Sequence, residues 1–282
     1  PSDDDLRWQA AQRELAPALR VRVGIETPPP ADIEAAQLRK KERSDFVLTH
    51  FEIGRKSTGE HVAVVRLTPL HPSDQLTVVF SPHGKAELVR ADGTPEPLVK
   101  ALLDRGQSVV GFDPLLVGEH ADPAAFADRR PDTAHYETYN KVLAADRMQD
   151  LATVLAWART QPDVHRVNLV GQGRWGALAL LARPRLEGLA RVAVNLHEFD
   201  YGDGRGEVSP DLDLPGVLQF GGLPAAAALS APSPLWVLRC TSDRVADWAR
   251  RSYALHDANN QLRVSKDSPP VEELARWLTS GE

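Results

Sequence analysis

The stretch richest in chemical character runs from Val167 to Leu181. An apolar run, Val167-Asn168-Leu169-Val170, meets Gly171-Gln172-Gly173-Arg174-Trp175-Gly176 and then an Ala/Leu-rich segment. Strand, tight glycine turn, helix is the arrangement that lifts a nucleophile above the end of a sheet, because the strained turn tolerates only small neighbours. In the pattern Gly-x-nucleophile-x-x-Gly the nucleophile position is Gly173, which has no side chain and can form no acyl intermediate. Arg174 would open the following helix, where backbone N–H groups and the helix dipole favour anions and a guanidinium adds a planar fork for carboxylates. A carboxylate, Glu198 or Asp113, or else a bound anion, is expected within its reach. Gln172 and Trp175 flank the empty position, and Trp175 is expected to fill the space that a substrate's acyl group would need. The six residues also match the dinucleotide-binding pattern Gly-x-Gly-x-x-Gly. Against that reading, the turn follows a late strand, and the acidic partner would have to be Glu198.

Hydrolysis at such a turn needs an acid and a base in reach of the nucleophile. The acid should follow the strand ending near Leu238, where Asp243 stands in Cys240-Thr241-Ser242-Asp243. Its preferred reading is a cap for the helix from Arg244. The base should follow the last strand, yet Val264-Ser265-Lys266-Asp267-Ser268-Pro269-Pro270 holds no histidine. His256 falls before that strand, at a helix end where an imidazolium is ordinarily favourable. Nucleophile and base are therefore both absent, and two independent absences point to a naturally degenerate site. Cys240 is expected to be a small core residue.

Other reactive side chains gather in loops at the same sheet end: His83 beside Gly84, Asp113, His120, and the run His197, Glu198 and Asp200. Histidines and carboxylates could assemble a metal site, but their spacing matches no fixed motif, and no metal is expected. The plainer reading is that His197 and Glu198 close a hydrogen-bond network with Arg174 or Arg147.

Positioning these residues falls to alternating strands and helices. Strand-like runs occur at 46–48, 61–65, 76–80, 108–112, 167–170, 192–196, 235–238 and 261–265. Helices are expected over 96–104, 139–159, 244–255 and 271–278, with helical packing at 225–229. Residues 197–224 read as an insertion rich in Gly, Asp and Pro. Short apolar strands separated by helices imply a mostly parallel sheet covered on both faces. The hairpin around Ser57-Thr58-Gly59 implies an antiparallel edge. Before it, residues 4–16 read as an amphipathic helix with Leu6, Trp8 and Leu15 toward the core, ended by Pro17. A second charged helix is expected over 31–43. The expected organisation is an N-terminal helical arm, 1–44, on an α/β domain, 45–282.

Composition excludes several classes. The chain has 282 residues, 33 Lys+Arg against 39 Asp+Glu, and a net charge of -6. No basic patch suggests nucleic acid, and no apolar run is long enough to span a membrane. One cysteine permits no intrachain disulfide. Pro1 in place of Met fits a removed signal peptide or a piece of a longer polypeptide.

Several segments carry a family resemblance. Ser81-Pro82-His83-Gly84-Lys85-Ala86 resembles the oxyanion-side loop of acetylxylan-esterase-like α/β-hydrolases. Leu102-Leu103-Asp104-Arg105-Gly106, Leu116-Val117-Gly118-Glu119, and Tyr139-Asn140 with Arg147-x-x-Asp150-Leu151 are similar to theirs. So are Pro215-Gly216, Leu223 and Ala231-Pro232-Ser233-Pro234-Leu235, with Ser233 where Arg is common in the family. The elbow with Arg174 resembles that of glucuronoyl esterases, whose Gly-x-Ser-Arg-x-Gly carries an oxyanion-stabilising Arg. The resemblance, over residues 60–245, implies an α/β-hydrolase fold, carboxylic-ester chemistry, and a bacterial, secreted or periplasmic protein. Combined with the empty elbow, it implies a degenerate esterase domain with no cofactor, an accessory or ligand-binding module beside a catalytic esterase domain. Its cleft residues, His83, Gly84, Asp113, Gln172, Arg174, Trp175, His197 and Glu198, would take a carbohydrate or an acidic small molecule. Two alternatives stay open: an active ester hydrolase with a non-standard site built on a metal or activated water, and a cofactor-binding protein using the glycine-rich turn.

Overall fold

Neighbouring residues of the central strands face opposite ways, and both faces are apolar. Val78, Val110 and Leu169 enter one core, whereas Val79, Val109 and Val170 enter a second. A period of two with both phases apolar is the signature of a strand buried between two layers. Burying each such side chain stabilises the fold by about 1.5–3 kcal/mol. The structure, a computed structural model, describes residues 3–128, 141–202 and 208–280.

Among the described residues, nine strands form one sheet: β1 (Ile33–Glu42), β2 (Phe46–Arg55), β3 (Glu60–Pro69), β4 (Gln75–Phe80), β5 (Ser108–Asp113), β6 (Arg166–Gly171), β7 (Leu189–Asn195), β8 (Leu235–Leu238) and β9 (Leu262–Val264). Their spatial order is β1-β2-β3-β5-β4-β6-β7-β8-β9. The first three pair antiparallel, as does β3 with β5, and every later pairing is parallel. The mostly parallel sheet with an antiparallel N-terminal edge is as expected. Helices α2 (Pro97–Leu103) and α8 (Val271–Thr279) cover one face through Val99, Leu102, Leu274 and Trp277. The other face carries α1 (Asp3–Val23), α4 (Leu143–Thr160), α5 (Gly176–Ala182), α6 (Gly222–Ala228) and α7 (Asp243–Leu255). A short α3 (Pro123–Asp128) lies between β5 and α4.

Three expectations change. The charged segment 31–43 is not a helix: β1 pairs with β2 from Ile33↔Arg55 to Glu42↔Val47. Its Ala, Glu, Lys and Leu favour helix in isolation, but the ladder offered by β2 overrides propensity. Charge on such a rim strand deters pairing with another molecule. Secondly, α1 runs past Pro17 to Val23. The proline is exposed, and Leu19 and Val23, both fully buried, hold the later turns to the core. Thirdly, Leu6 is 50% exposed, whereas Trp8 packs edge-on against Trp248 at 4.8 Å. The described part of the helix expected over 139–159 begins at Leu143; Tyr139 and Asn140 lie outside the described residues.

Candidate functional site

The turn after β6 retains the backbone of a nucleophile elbow. Gln172 is extended and Gly173 takes φ +54°, the left-handed region that glycine enters at least cost. A Cβ on Gly171 would lie 2.8 Å from Ala179 Cβ and from Gly176 Cα, and one on Gly176 would lie 2.0 Å from the Asn195 carbonyl oxygen. Both glycines are therefore required by the close approach of α5 to β6 and β7. Gly173 differs. A Cβ there would meet nothing nearer than Pro82 Cγ, at 3.7 Å. The nucleophile position has room for a side chain and carries none.

Trp175 points inward. It is buried, packs on Phe80 at 5.0 Å between ring centres, and lies beneath the Arg147 guanidinium at 4.5 Å. Its indole N–H donates to Asp211 Oδ2 at 2.9 Å, and Ser209 Oγ donates to the other oxygen of the same carboxylate. Asp211 belongs to the Gly/Asp/Pro-rich insertion, so this contact ties the insertion to the elbow; Leu212, Leu214 and Val217 bury the same segment in the core. Arg174, by contrast, is exposed and has no carboxylate partner among the described residues. Both carboxylates expected beside it are held elsewhere: Glu198 by Arg239, and Asp113 by Lys85.

At the end of β8, the cap expected at Asp243 is supplied by its neighbour. Ser242 Oγ accepts from the Val245 N–H at 3.4 Å and donates to Asp200 Oδ2 at 2.6 Å, whereas Asp243 is the exposed first residue of α7. A serine has the short side chain this reach requires. Cys240 is buried, and burial pushes its thiol pKa up. The loop after β9 is knit to the sheet instead of offering a base: Ser265 Oγ accepts from the Trp236 indole at 2.8 Å, and its backbone bonds Val237 and Cys240. His256 is exposed at the end of α7, where its Nδ1 donates to the Ser252 carbonyl at 2.8 Å.

His197 and Glu198 follow β7 with φ of +50° and +62°, and Arg239 follows β8 with φ of +48°. Such conformations cost a non-glycine residue about 1–2 kcal/mol each. Two backbone bonds, Leu196 N–H to the Leu238 carbonyl and Glu198 N–H to the Arg239 carbonyl, continue the ladder past the strands. The Arg239 guanidinium meets His197 Nδ1 at 2.8 Å and pairs with the Glu198 carboxylate. The network expected around His197 and Glu198 thus exists, and Arg239 closes it.

Asp113, at the end of β5, is only 2% exposed. It accepts from the Lys85 N–H at 2.9 Å, the Lys85 ammonium at 2.6 Å and the Glu119 N–H at 3.0 Å. Cβ atoms on Gly84 or Gly118 would fall 2.3 and 2.1 Å from its oxygens, so both glycines leave space for the carboxylate. Asp113 and Gly84 therefore join two loops, while His83 is exposed. Two residues after Asp113, α4 holds both backbone groups of Leu115: the Asp150 carboxylate accepts from the Leu115 N–H at 2.8 Å and Arg147 Nε donates to the Leu115 carbonyl at 3.1 Å. Burial pushes the Asp150 carboxyl up to about 7. His120 does not join His83 and Asp113; it borders a separate hollow of about 370 Å³ with Glu60, His61 and Asp150. Among the described residues no three His, Cys, Asp or Glu side chains converge as a metal site.

Sequence reasoning missed Lys85, Asp211 and Arg239. Lys85 lies inside the segment Ser81-Pro82-His83-Gly84-Lys85-Ala86 and carries a readable signal, a cation two residues from His83. Asp211 and Arg239 act across loops, and nothing local in the chain marks them.

No protein-family model and no curated protein matches this chain. Solved structures do. A protein from Bacteroides fragilis assigned as an acetyl xylan esterase superimposes with a TM-score of 0.72 at 14% identity, covering 93% of this chain and 75% of its own. A methylesterase gives 0.62 at 18% identity, covering 96% and 62%. A glucuronoyl esterase from Solibacter usitatus gives 0.59 at 14% identity, covering 95% and 92%. The chain has the α/β-hydrolase fold of these esterases.

Proposed function

We propose that this chain is a catalytically degenerate, acetylxylan-esterase-like domain, an accessory or ligand-binding module of a carbohydrate-active esterase. The observation that carries the reading is Gly173. The turn keeps the left-handed backbone and the two tightly packed glycines of an elbow, has space for a nucleophile, and bears no side chain. Two further features support it. The loop after β9 has no histidine, and the Arg147–Trp175–Asp211 stack occupies the volume under the turn. The partner would be an adjoining catalytic esterase domain, and the ligand a carbohydrate or an acidic small molecule.

The test is turnover of p-nitrophenyl acetate by the purified chain, expected at the buffer rate. Turnover that survives repurification and is lost on substituting His83 or His197 would overturn the reading in favour of a non-standard hydrolytic site. Gly173→Ser is expected to remain unlabelled by a fluorophosphonate, because an unactivated serine is a poor nucleophile.

A further inference from the structure

The opposite end of the sheet holds a groove of about 660 Å³ at the starts of the parallel strands. Three of its lining residues are arginines: Arg166 opens β6, Arg191 lies in β7, and Arg263 in β9. None of the described lining residues is acidic, although the chain as a whole carries a net charge of -6. The strands are neighbours in the order β6-β7-β8-β9. At ~4.8 Å per strand, the three arginines are spread over roughly 15 Å of sheet edge.

Two of the guanidinium groups are held in place by packing. Arg191 lies over the Trp277 ring at 5.1 Å and donates through Nε to the Ser280 carbonyl at 3.3 Å. Arg263 lies over Trp236 at 4.9 Å and pairs with Glu273 at 3.6 Å. Trp236 and Trp277 pack edge-on at 5.4 Å, so the two stacked arginines share one rigid base. The floor is equally fixed, since the buried Asn168 donates to the Leu278 carbonyl at 3.1 Å. Arg166 is exposed and has no ion pair among the described residues. Side-chain amides of Gln75, Asn260 and Gln261 add neutral hydrogen-bonding groups between the charges.

We propose that this groove binds an elongated anion bearing two or more oxyanion groups, carboxylate or phosphate, spaced to meet Arg166 and Arg263. Packing on Trp236 fixes the orientation of the Arg263 fork before any ligand arrives, which reduces the ordering cost of binding. A single small anion would leave most of the groove unfilled. The inference is independent of the elbow and of whether that face is catalytic.

Calorimetry at low ionic strength tests it with three probes: the trimer of galacturonic acid, its neutral galactose counterpart, and inorganic tripolyphosphate. One-to-one binding of the galacturonate trimer alone identifies a carboxylate source, of tripolyphosphate alone a phosphate source, and of both the shared chemistry. The double variant Arg166→Gln/Arg263→Gln is expected to weaken binding by roughly tenfold or more, with the fold retained and the melting temperature lowered by no more than a few degrees. Arg174→Gln, at the other end of the sheet, is expected to leave it unchanged. The proposal is overturned if neither anion binds, if the neutral trimer binds as tightly, if the double variant retains full affinity, or if Arg174→Gln removes it.

Discussion

Two turns leave the same end of the sheet, one after β5 and one after β6, and they are held by opposite means. The β5 turn is held by charged groups. Asp113 gathers three donors, while Asp150 and Arg147 hold the N–H and the carbonyl of Leu115. The β6 turn is held by missing atoms, since Gly171 and Gly176 let α5 approach closer than any Cβ would allow. Backbone crowding enforces the shape of the elbow whether or not a nucleophile stands on it. An elbow-shaped turn is therefore good evidence of the fold and poor evidence of an activity.

The largest expected effect is on the crowded turn. Gly176→Ala places a methyl group 2.0 Å from the Asn195 carbonyl oxygen, backbone that cannot swing aside. We expect a loss of about 4 kcal/mol or more, or failure to fold, read by denaturant titration. A variant that melts within a few degrees of wild type would show that close packing does not fix the elbow.

The charged turn should respond to pH instead. The Asp150 carboxyl is raised from 3.8 to about 7 by burial. Between those values the folded protein holds a proton that the unfolded chain has released, so this group's stabilising contribution declines as pH rises through the window and levels off above it. Asn at this position cannot titrate and keeps an amide oxygen for the Leu115 N–H. The stability of wild type relative to Asp150→Asn should fall by at most about 4 kcal/mol between pH 4 and pH 8. Parallel pH profiles for the two proteins would remove Asp150 as the cause.

Gly173→Ser lies between these extremes. Space is available, with Pro82 at 3.7 Å, but φ is +54°. The conformation alone should cost about 1–2 kcal/mol, with the fold retained. A loss as large as that of Gly176→Ala would mean that the position is crowded as well as strained.

Much of this was legible in the chain. The apolar strand runs, the Ser57-Thr58-Gly59 hairpin and the glycine turn each carry a local signal, a period of two or a conformation that only certain residues adopt readily. What was not legible depends on partners distant in sequence. Residues 31–43 read as helix from composition, because the pairing that makes them a strand is supplied by β2. Gly173 could be named as the empty position from spacing alone. That Trp175 turns inward could not, because Asp211, 36 residues on, receives its indole N–H. Likewise Glu198 could be placed at the sheet end, but its partner Arg239 lies 41 residues away, just past the end of another strand.

The smallest expected effect separates the two arginines of the elbow face. Arg174 is exposed and has no carboxylate partner among the described residues, so Arg174→Gln should change stability by no more than about 0.5 kcal/mol. Arg239 bridges His197 and Glu198, two residues whose left-handed backbone the structure must hold against its own cost. The ion pair is partly exposed and contributes roughly 0–1 kcal/mol by itself. Arg239→Gln also removes the support between the β7 and β8 turns, so its loss should exceed that of Arg174→Gln and appear as faster amide exchange at Glu198, whose N–H bonds the Arg239 carbonyl. If the two variants melt together and Glu198 exchanges equally fast in both, the strained pair is held by backbone pairing alone and the guanidinium of Arg239 is dispensable to it. If Arg174→Gln is the more damaging, Arg174 has a structural role that its exposure conceals, and the contrast between a turn kept by crowding and a turn kept by charge no longer describes this face.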